Sequence, residues 1–262
     1  MNIQNKAIAD SREQWNKLAD HWERQSKNLR SKYTKRNYWI YELIERNKIG
    51  SCKTLDLGCA NGFLSSILAQ RGFDTYGMDV SNQLIRLAVQ RMSQYFDDAE
   101  KRFSLYENDN LPFAGSSFRL VTMIGVFPYI KNQKEYVHTA YQIIEDGGYM
   151  IASSANRFSI YIILQIVKRI FMFRPTKLWR DTLLNLARTG IESGGNIDYH
   201  SSEQVHNSSQ FDRLFKEIGF RKVDEIDLFH ISFLDKNPLN RSKYGKYFSR
   251  QLGWNHVGVY QK

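Results

Sequence analysis

The sequence predicts an α/β protein: a doubly wound, mostly parallel sheet, with a helical region before it and a helical insertion after the fifth strand. Three observations predict this. From Thr54 onward, short apolar runs alternate with segments of helical period. Crossovers between parallel strands are right-handed in almost all proteins, so such an alternation covers both faces of one sheet. Finally, 262 residues, 42% apolar and 24% charged, have the composition of an ordinary globule large enough to bury a core without staples.

The elements follow in order. Residues 11–46 read as helix: Trp15, Leu18, Ala19 and Trp22 fall on one stripe, Tyr38, Trp39, Tyr41, Leu43 and Ile44 on another. The polar, basic stretch 24–36 between them reads as a loop or frayed helix end, and Gly50-Ser51 closes the region. Strands are then expected over 54–57, 75–78, 120–124 and 149–153, with helices over 62–71, 83–92 and 134–145. Gly147-Gly148 reads as the turn from the last of these helices into its strand. Residues 154–200 break the alternation with an apolar, helix-length run followed by the turn-rich 188–196. A helix over 210–217, ended by Gly219, and strands over 221–229 and 256–260 complete the chain. The expected organisation is a lid region at 1–49, a sheet domain formed by 50–153 and 201–262, and an inserted cap at 154–200.

Composition narrows the function. Cys52 and Cys59 are the two cysteines, too few for a disulfide framework. The first residues lack the apolar core of a secretory signal, and no apolar stretch reaches the ~20 residues of a membrane span. A cytoplasmic protein is expected. The net charge of +10 sits in the flanks: residues 54–153 carry 8 Lys+Arg against 11 Asp+Glu, the remainder 29 against 16. This suits either an anionic partner or a solubilising surface. The six histidines are scattered without ligand spacing, so no metal is expected.

The chemistry concentrates at strand ends. The first strand runs into Asp56-Leu57-Gly58-Cys59-Ala60-Asn61-Gly62. Glycines there let the chain turn tightly into a helix and approach a ligand, and open α/β sheets bind ligands beyond the carboxyl ends of their strands. The loop departs from the dinucleotide pattern G-x-G-x-x-G, which a nicotinamide-dependent dehydrogenase would need. About 20 residues past the glycines, a carboxylate that ends the second strand accepts ribose hydroxyls in nucleotide sites; Asp79 stands there, although it and Ser81 equally suit a helix cap. A third segment, 107–113 (ENDNLPF), precedes the strand that ends at Ile124-Gly125-Val126-Phe127.

Taken together, LDLGCANG, Asp79, NLPF with SFRLVTMIGVFPYI, IIEDGGYMIAS, FDRLFKEIGF and the terminal NHVGVYQK resemble the class I S-adenosylmethionine-dependent methyltransferases of the small-molecule type. The resemblance covers residues 50–153 and the C-terminal tail. It implies a seven-stranded, Rossmann-like sheet and S-adenosylmethionine as cofactor, with S-adenosylhomocysteine as product. It implies that Asp56 and the loop of Gly58, Cys59, Ala60 and Gly62 hold the methionine end. Asp79, followed by Val80, would take the ribose, and Glu107 and Asn108 the adenine edge. Ile124 and Phe127 would line the sulfonium side, and Trp22 on an aromatic lid helix would shut over the cofactor. Ala60 replaces the family's usual middle glycine and Glu107 its commoner Asp. Phe127-Pro128-Tyr129 stands where many relatives carry Leu-His-His, so no catalytic imidazole is expected there.

The acceptor is expected to be a small or medium metabolite, methylated on oxygen or nitrogen, such as a sugar or secondary-metabolism intermediate. Asp198, Tyr199 and His200 are candidates to orient and deprotonate a hydroxyl, though 200–203 also suits a helix start. His206 and His230 are further candidates, and Arg188 suits either a clamp on an acceptor phosphate or carboxylate or an ordinary surface position. Residues 157–180 hold six basic and no acidic side chains among many apolar ones. That segment suits weak contact with an acidic membrane, a lid over an anionic or lipid-linked acceptor, or a buried cap helix. A base-flipping motif is missing from the sequence, so nucleic acid is not expected as a partner. The alternative function is a non-catalytic cofactor-binding scaffold or membrane-surface protein. The sequence leaves the oligomeric state open.

Overall fold

The computed structural model describes residues 11–28, 31–106, 111–113, 115–130, 132–155, 207–228 and 255–262. The N-terminal helices are α1 (residues 11–17), α2 (Ala19–Lys27) and α3 (Lys32–Arg46). Then come β1 (Lys53–Leu57), α4 (Phe63–Ala69), β2 (Asp74–Asp79), α5 (Asn82–Met92), α6 (Ala99–Arg102) and β3 (Phe103–Leu105). β4 (Phe118–Ile124) leads through a 3-10 turn (Phe127–Tyr129) to α7 (Gln133–Ile143) and β5 (Ile144–Ala155). α8 (Ser208–Ile218), β6 (Arg221–Leu228) and β7 (Asn255–Gln261) finish the fold.

The seven strands form one sheet in the order β3-β2-β1-β4-β5-β7-β6. β7 runs antiparallel to its two neighbours; the other neighbouring strands pair in parallel. The order reverses between β1 and β4, which opens a crevice at their carboxyl ends where such sheets take ligands. The strands read as near-continuous apolar runs because both faces are covered. On β4, Val121 and Met123 pack into a cluster with Val137, Phe211 and Phe215, while Leu120 and Ile124 pack with Ile40, Leu43, Leu64 and Leu68. One face therefore carries α7 and α8, the other α3 and α4.

Local chemistry sets the helix ends. Ser81 caps α5, its Oγ accepting from Leu84 N–H at 3.1 Å. Asn207 and Gln210 form a capping box at the start of α8, and Gly219 ends that helix at φ 120°.

Three details depart from expectation. The short edge strand β3 was not foreseen, because Phe103-Ser104-Leu105 is too brief to show a period. The break among the N-terminal helices is narrower than 24–36: Ser26 and Thr34 bond to Glu23 O and Gln25 O, so helix occupies both flanks. Gly147-Gly148 lies within β5, where the pairing with β4 shifts register between Phe118 and Leu120 and Gly147 adopts φ 72°. Of the cap at 154–200, only Ser154 and Ala155 belong to the described residues.

Candidate cofactor site

The turn after β1 is folded by its neighbours. Gly58 and Cys59 donate backbone N–H groups to Met78 O at the end of β2, at 2.7 and 3.0 Å. Gly58 stands at φ 74°, and a Cβ on it would lie 2.2 Å from Val126 Cγ2. Only glycine meets both demands. Ala60 also takes a left-handed conformation, at φ 48°, which is uncommon for a residue with a Cβ. Its N–H donates to Asp79 Oδ2 at 3.0 Å, and Ser81 N–H donates to Asp79 Oδ1 at 2.9 Å. The Asp79 carboxylate is thus aimed by the backbone of both turns. Burial is the main influence on it and lifts its pKa to about 6, against the pull of those N–H donors. Cys59 points its thiol into a separate cluster with Ala88, Met92 and Phe103, where burial pushes its pKa well up, so only its backbone faces the turn.

Asp56 is 2% exposed. Its oxygens accept from Thr122 Oγ1 (2.7 Å), beside it on β4, and from Ser65 Oγ (2.8 Å) on α4. Burial raises its pKa against these bonds and the nearby positive charge of Arg36. Arg36, on α3, was not foreseen. Burial lowers its pKa, with Tyr33, Tyr129 and Asp56 acting against it. Its Nε has no hydrogen-bond partner among the described residues, and its Nη1 would lie 2.9 Å from a Cβ placed on Gly125. A guanidinium held at the end of β4 with an unmet donor is costly unless an anion arrives. The sequence does carry a signal for it: Arg36 precedes Ile40, Leu43 and Ile44 on the helix face that packs onto the sheet.

The N-terminal helices pack against these turns. Trp15 and Trp22 stand 6.2 Å apart between ring centroids; Trp15 meets Tyr129 edge-on at 4.9 Å and Trp22 meets Tyr33 at 4.7 Å. Arg12 Nε donates to Val80 O at 3.1 Å, and Asn16 Oδ1 accepts from Ser81 Oγ at 2.7 Å. Trp22 is half-buried in this aromatic group, while Val80 and Ile124 pack against the two main clusters. Phe127 is a correction. Its ring has no exposed surface and lies 4.7 Å from Phe211 and 5.7 Å from Phe215, inside the core. The 3-10 turn rotates it inward and presents Tyr129 to Trp15 instead. Glu107, Asn108, Arg188, Asp198, Tyr199, His200, His206 and His230 lie outside the described residues, as does 157–180.

A cradle only glycine permits, an aimed carboxylate at the end of β2 and a buried guanidinium with an unmet Nε beyond β4 fit an adenosyl group joined to an amino-acid carboxylate. A family profile for a methyltransferase domain matches residues 12–225. The chain belongs to the class I S-adenosylmethionine-dependent methyltransferase family. Its cofactor is S-adenosylmethionine. Among curated relatives, a ubiquinone biosynthesis O-methyltransferase of Azoarcus sp. (strain BH72) is 30% identical over 112 residues, 42% of this chain and 47% of that protein. One from Leptothrix cholodnii is 26% identical over 175 residues, 59% of this chain and 72% of that one. The chain thus spans about half the length of the first of these relatives. In fold it is similar to the magnesium protoporphyrin IX methyltransferase of Synechocystis PCC 6803, solved with bound S-adenosylhomocysteine (TM-score 0.64, 15% identity, 97% and 99% of the two chains). A possible histamine N-methyltransferase of Thermotoga maritima is similar too (TM-score 0.60, 17% identity, 95% and 99%).

Proposed function

We propose that the chain transfers the methyl group of S-adenosylmethionine to an oxygen of a small-molecule acceptor. The observation that carries the cofactor half of this reading is the Asp79 carboxylate, held at the mouth of the crevice by the N–H groups of Ala60 and Ser81. The oxygen half is supported by the curated relatives, named as O-methyltransferases, two of which are described above.

In this reading Asp79 accepts the ribose hydroxyls and the Gly58–Gly62 turn lets its backbone approach the methionine end. Arg36 supplies the cation for the amino-acid carboxylate. Asp56 acts from behind, tying β1 to α4 and β4 through Ser65 and Thr122. Ile124 ends the strand beside the sulfonium side, and Glu107 and Asn108 keep their assignment to the adenine edge. The bound sulfonium supplies an electrophilic methyl. The chain has to align the acceptor and exclude water, and positioning of this kind is worth on the order of 7–11 kcal/mol. Trp15, Trp22, Tyr33 and Tyr129 give flat faces beside Arg36, which suit a planar acceptor. His200, with Tyr199 and Asp198 beside it in sequence, is the proposed proton acceptor for a hydroxyl, and residues 154–200 the proposed acceptor-side cap.

The test is titration calorimetry with S-adenosylhomocysteine, followed by product detection with phenolic and amine acceptors. Binding together with methyl ethers supports the proposal. Binding with methylamines alone would move it to nitrogen, and no binding would remove it. For His200→Gln, loss of the acidic limb of the kcat–pH profile, the fall in rate as the imidazole protonates, is expected; an unchanged profile discharges His200.

Among the described residues no helix is long and apolar enough to cross a membrane. Flotation with acidic vesicles at low salt tests whether 157–180 reaches a lipid-linked acceptor at a membrane surface.

A further inference from the structure

The lid is fastened to the cofactor turn by a clamp around one residue, Asn61. Its side-chain Nδ2 donates to Glu23 Oε2 at 2.6 Å and to Ser26 Oγ at 2.9 Å, both on α2. Its backbone oxygen accepts from Arg91 Nε, on α5, at 2.9 Å. Arg91 Nη2 closes the ring by donating to the same Glu23 Oε2 at 2.8 Å. Asn61 is almost fully buried in this clamp. Burial favours the neutral acid at Glu23, but Asn61, Arg91 and Lys27 outweigh it, so its pKa is lowered and the carboxylate is charged near neutrality. The Glu23–Arg91 pair has only about a fifth of each side chain exposed and is screened less than a surface pair.

The position of Asn61 gives the clamp its consequence. It lies between Ala60 at φ 48° and Gly62 at φ 71°. A left-handed residue with a Cβ persists where its surroundings over-determine it. Two anchors do so here: Asp79 takes the Ala60 N–H on one side, and the Glu23–Arg91 pair holds Asn61 on the other. Further long-range bonds, Arg12 Nε donating to Val80 O and Asn16 Oδ1 accepting from Ser81 Oγ and Gln83 N–H, tie α1 to the turn that follows Asp79 and to the start of α5.

We propose that Glu23 is a positioning residue that latches the lid to the cofactor turn through Asn61 and Arg91, and so sets how fast S-adenosylhomocysteine leaves. This rests on the methyltransferase reading and adds to it the step of product release. Unlatching frees α2 and lets the turn relax, which loosens the N–H that aims Asp79. Glu23 touches no reacting atom in this scheme; it acts through Asn61.

The experiment is stopped-flow fluorescence of Trp15 and Trp22 with S-adenosylhomocysteine, on the full chain. Glu23→Ala and Arg91→Ala are each expected to speed release roughly tenfold with association within about twofold, and the double variant to release no faster than the singles, since coupled residues are not additive. Glu23→Gln keeps the acceptor oxygen and is expected to stay within about threefold of wild type. Raising the salt should speed release from the wild type and leave Glu23→Ala unchanged. Release at the wild-type rate from a folded Glu23→Ala, or losses in the two singles that add fully, overturns the latch. If Glu23→Ala does not fold, Ser26→Ala and the wild-type salt dependence give the same readings. Failure of the wild type to take up S-adenosylhomocysteine takes down the methyltransferase reading itself. Uptake by the wild type without any latch effect takes down the latch alone.

Discussion

Two clusters of buried charge lie toward opposite edges of the sheet, and they are finished differently. Around β1, β2 and α3, Asp79 is lifted to a pKa of about 6 by burial and Arg36 Nε has no partner among the described residues. Around β6, β7 and α8, the charges satisfy one another. His256 is 1% exposed and its ring nitrogens meet Asp227 Oδ1 at 2.6 Å and Asp212 Oδ1 at 3.2 Å. Asp212 also accepts from Tyr260 Oη at 2.7 Å and from Lys222 Nζ at 2.7 Å, and Lys222 reaches on to Glu225. Asp212, Glu225 and His256 bring ligand atoms within 4.8 Å of one another, but the Lys222 ammonium already supplies the positive charge between the two acids. An incomplete cluster is free to spend its interactions on a ligand, whereas a complete one holds the antiparallel β6–β7 pair to α8. Buried polar groups cost most where they are left unmet.

The contrast can be broken from either side. Asp212→Asn removes the charge shared by His256 and Lys222. It should cost about 3 kcal/mol of stability while leaving affinity for S-adenosylhomocysteine within about twofold, read from urea unfolding and calorimetry. A large loss of affinity would join the two clusters into one system. Asp79→Asn should do the reverse: affinity falls roughly 100-fold, since charge-assisted bonds are lost, while the melting temperature holds or rises. Arg36→Met should weaken the cofactor about tenfold through the lost carboxylate contact, with little change in stability, because the relief of a buried Nε without a partner offsets the lost attraction to Asp56. A variant of normal affinity would return Arg36 to a packing role.

Acidity separates the clusters more gently. The folded pKa of Asp79 lies above its unfolded value near 3.8, so this group favours the folded state most at low pH, and its contribution falls as pH rises from about 4 to 6. The cofactor needs the charged form, so affinity should drop roughly tenfold from pH 7 to 5, with proton release on binding below pH 6. At His256 burial alone would lower the pKa, but the bonds to Asp212 and Asp227 outweigh it and raise it above 6.5. Its stabilisation is therefore full below pH 6.5 and lost as pH rises through the raised value. Melting curves across that range should show this slope in the wild type and lose it in His256→Gln.

Much of the fold was legible because its signals are local. The alternation of apolar runs located β1, β2, β4 and β5, Ser81 and Gly219 marked helix ends, and the spacing of the glycines from Asp79 placed both at strand ends. β3 escaped because three residues carry no period, and the register shift in β5 because it is a matter of how that strand pairs with β4 rather than of the two glycines alone. Phe127 shows the limit for a side chain. The sequence marks an aromatic at the end of β4 but gives no indication of whether the turn that follows faces it to the ligand or to Phe211.

The sequence by itself determined the layering, the strand ends and the residue types that meet a nucleotide, since period, turn chemistry and spacing are properties of neighbours along the chain. The tertiary structure decided which polar groups are satisfied. Arg36 and Asp56 lie 20 residues apart, Glu23 and Arg91 68, and Asp212 and His256 44. Whether a buried charge finds its partner depends on which elements the sheet brings together, and no local pattern encodes that distance.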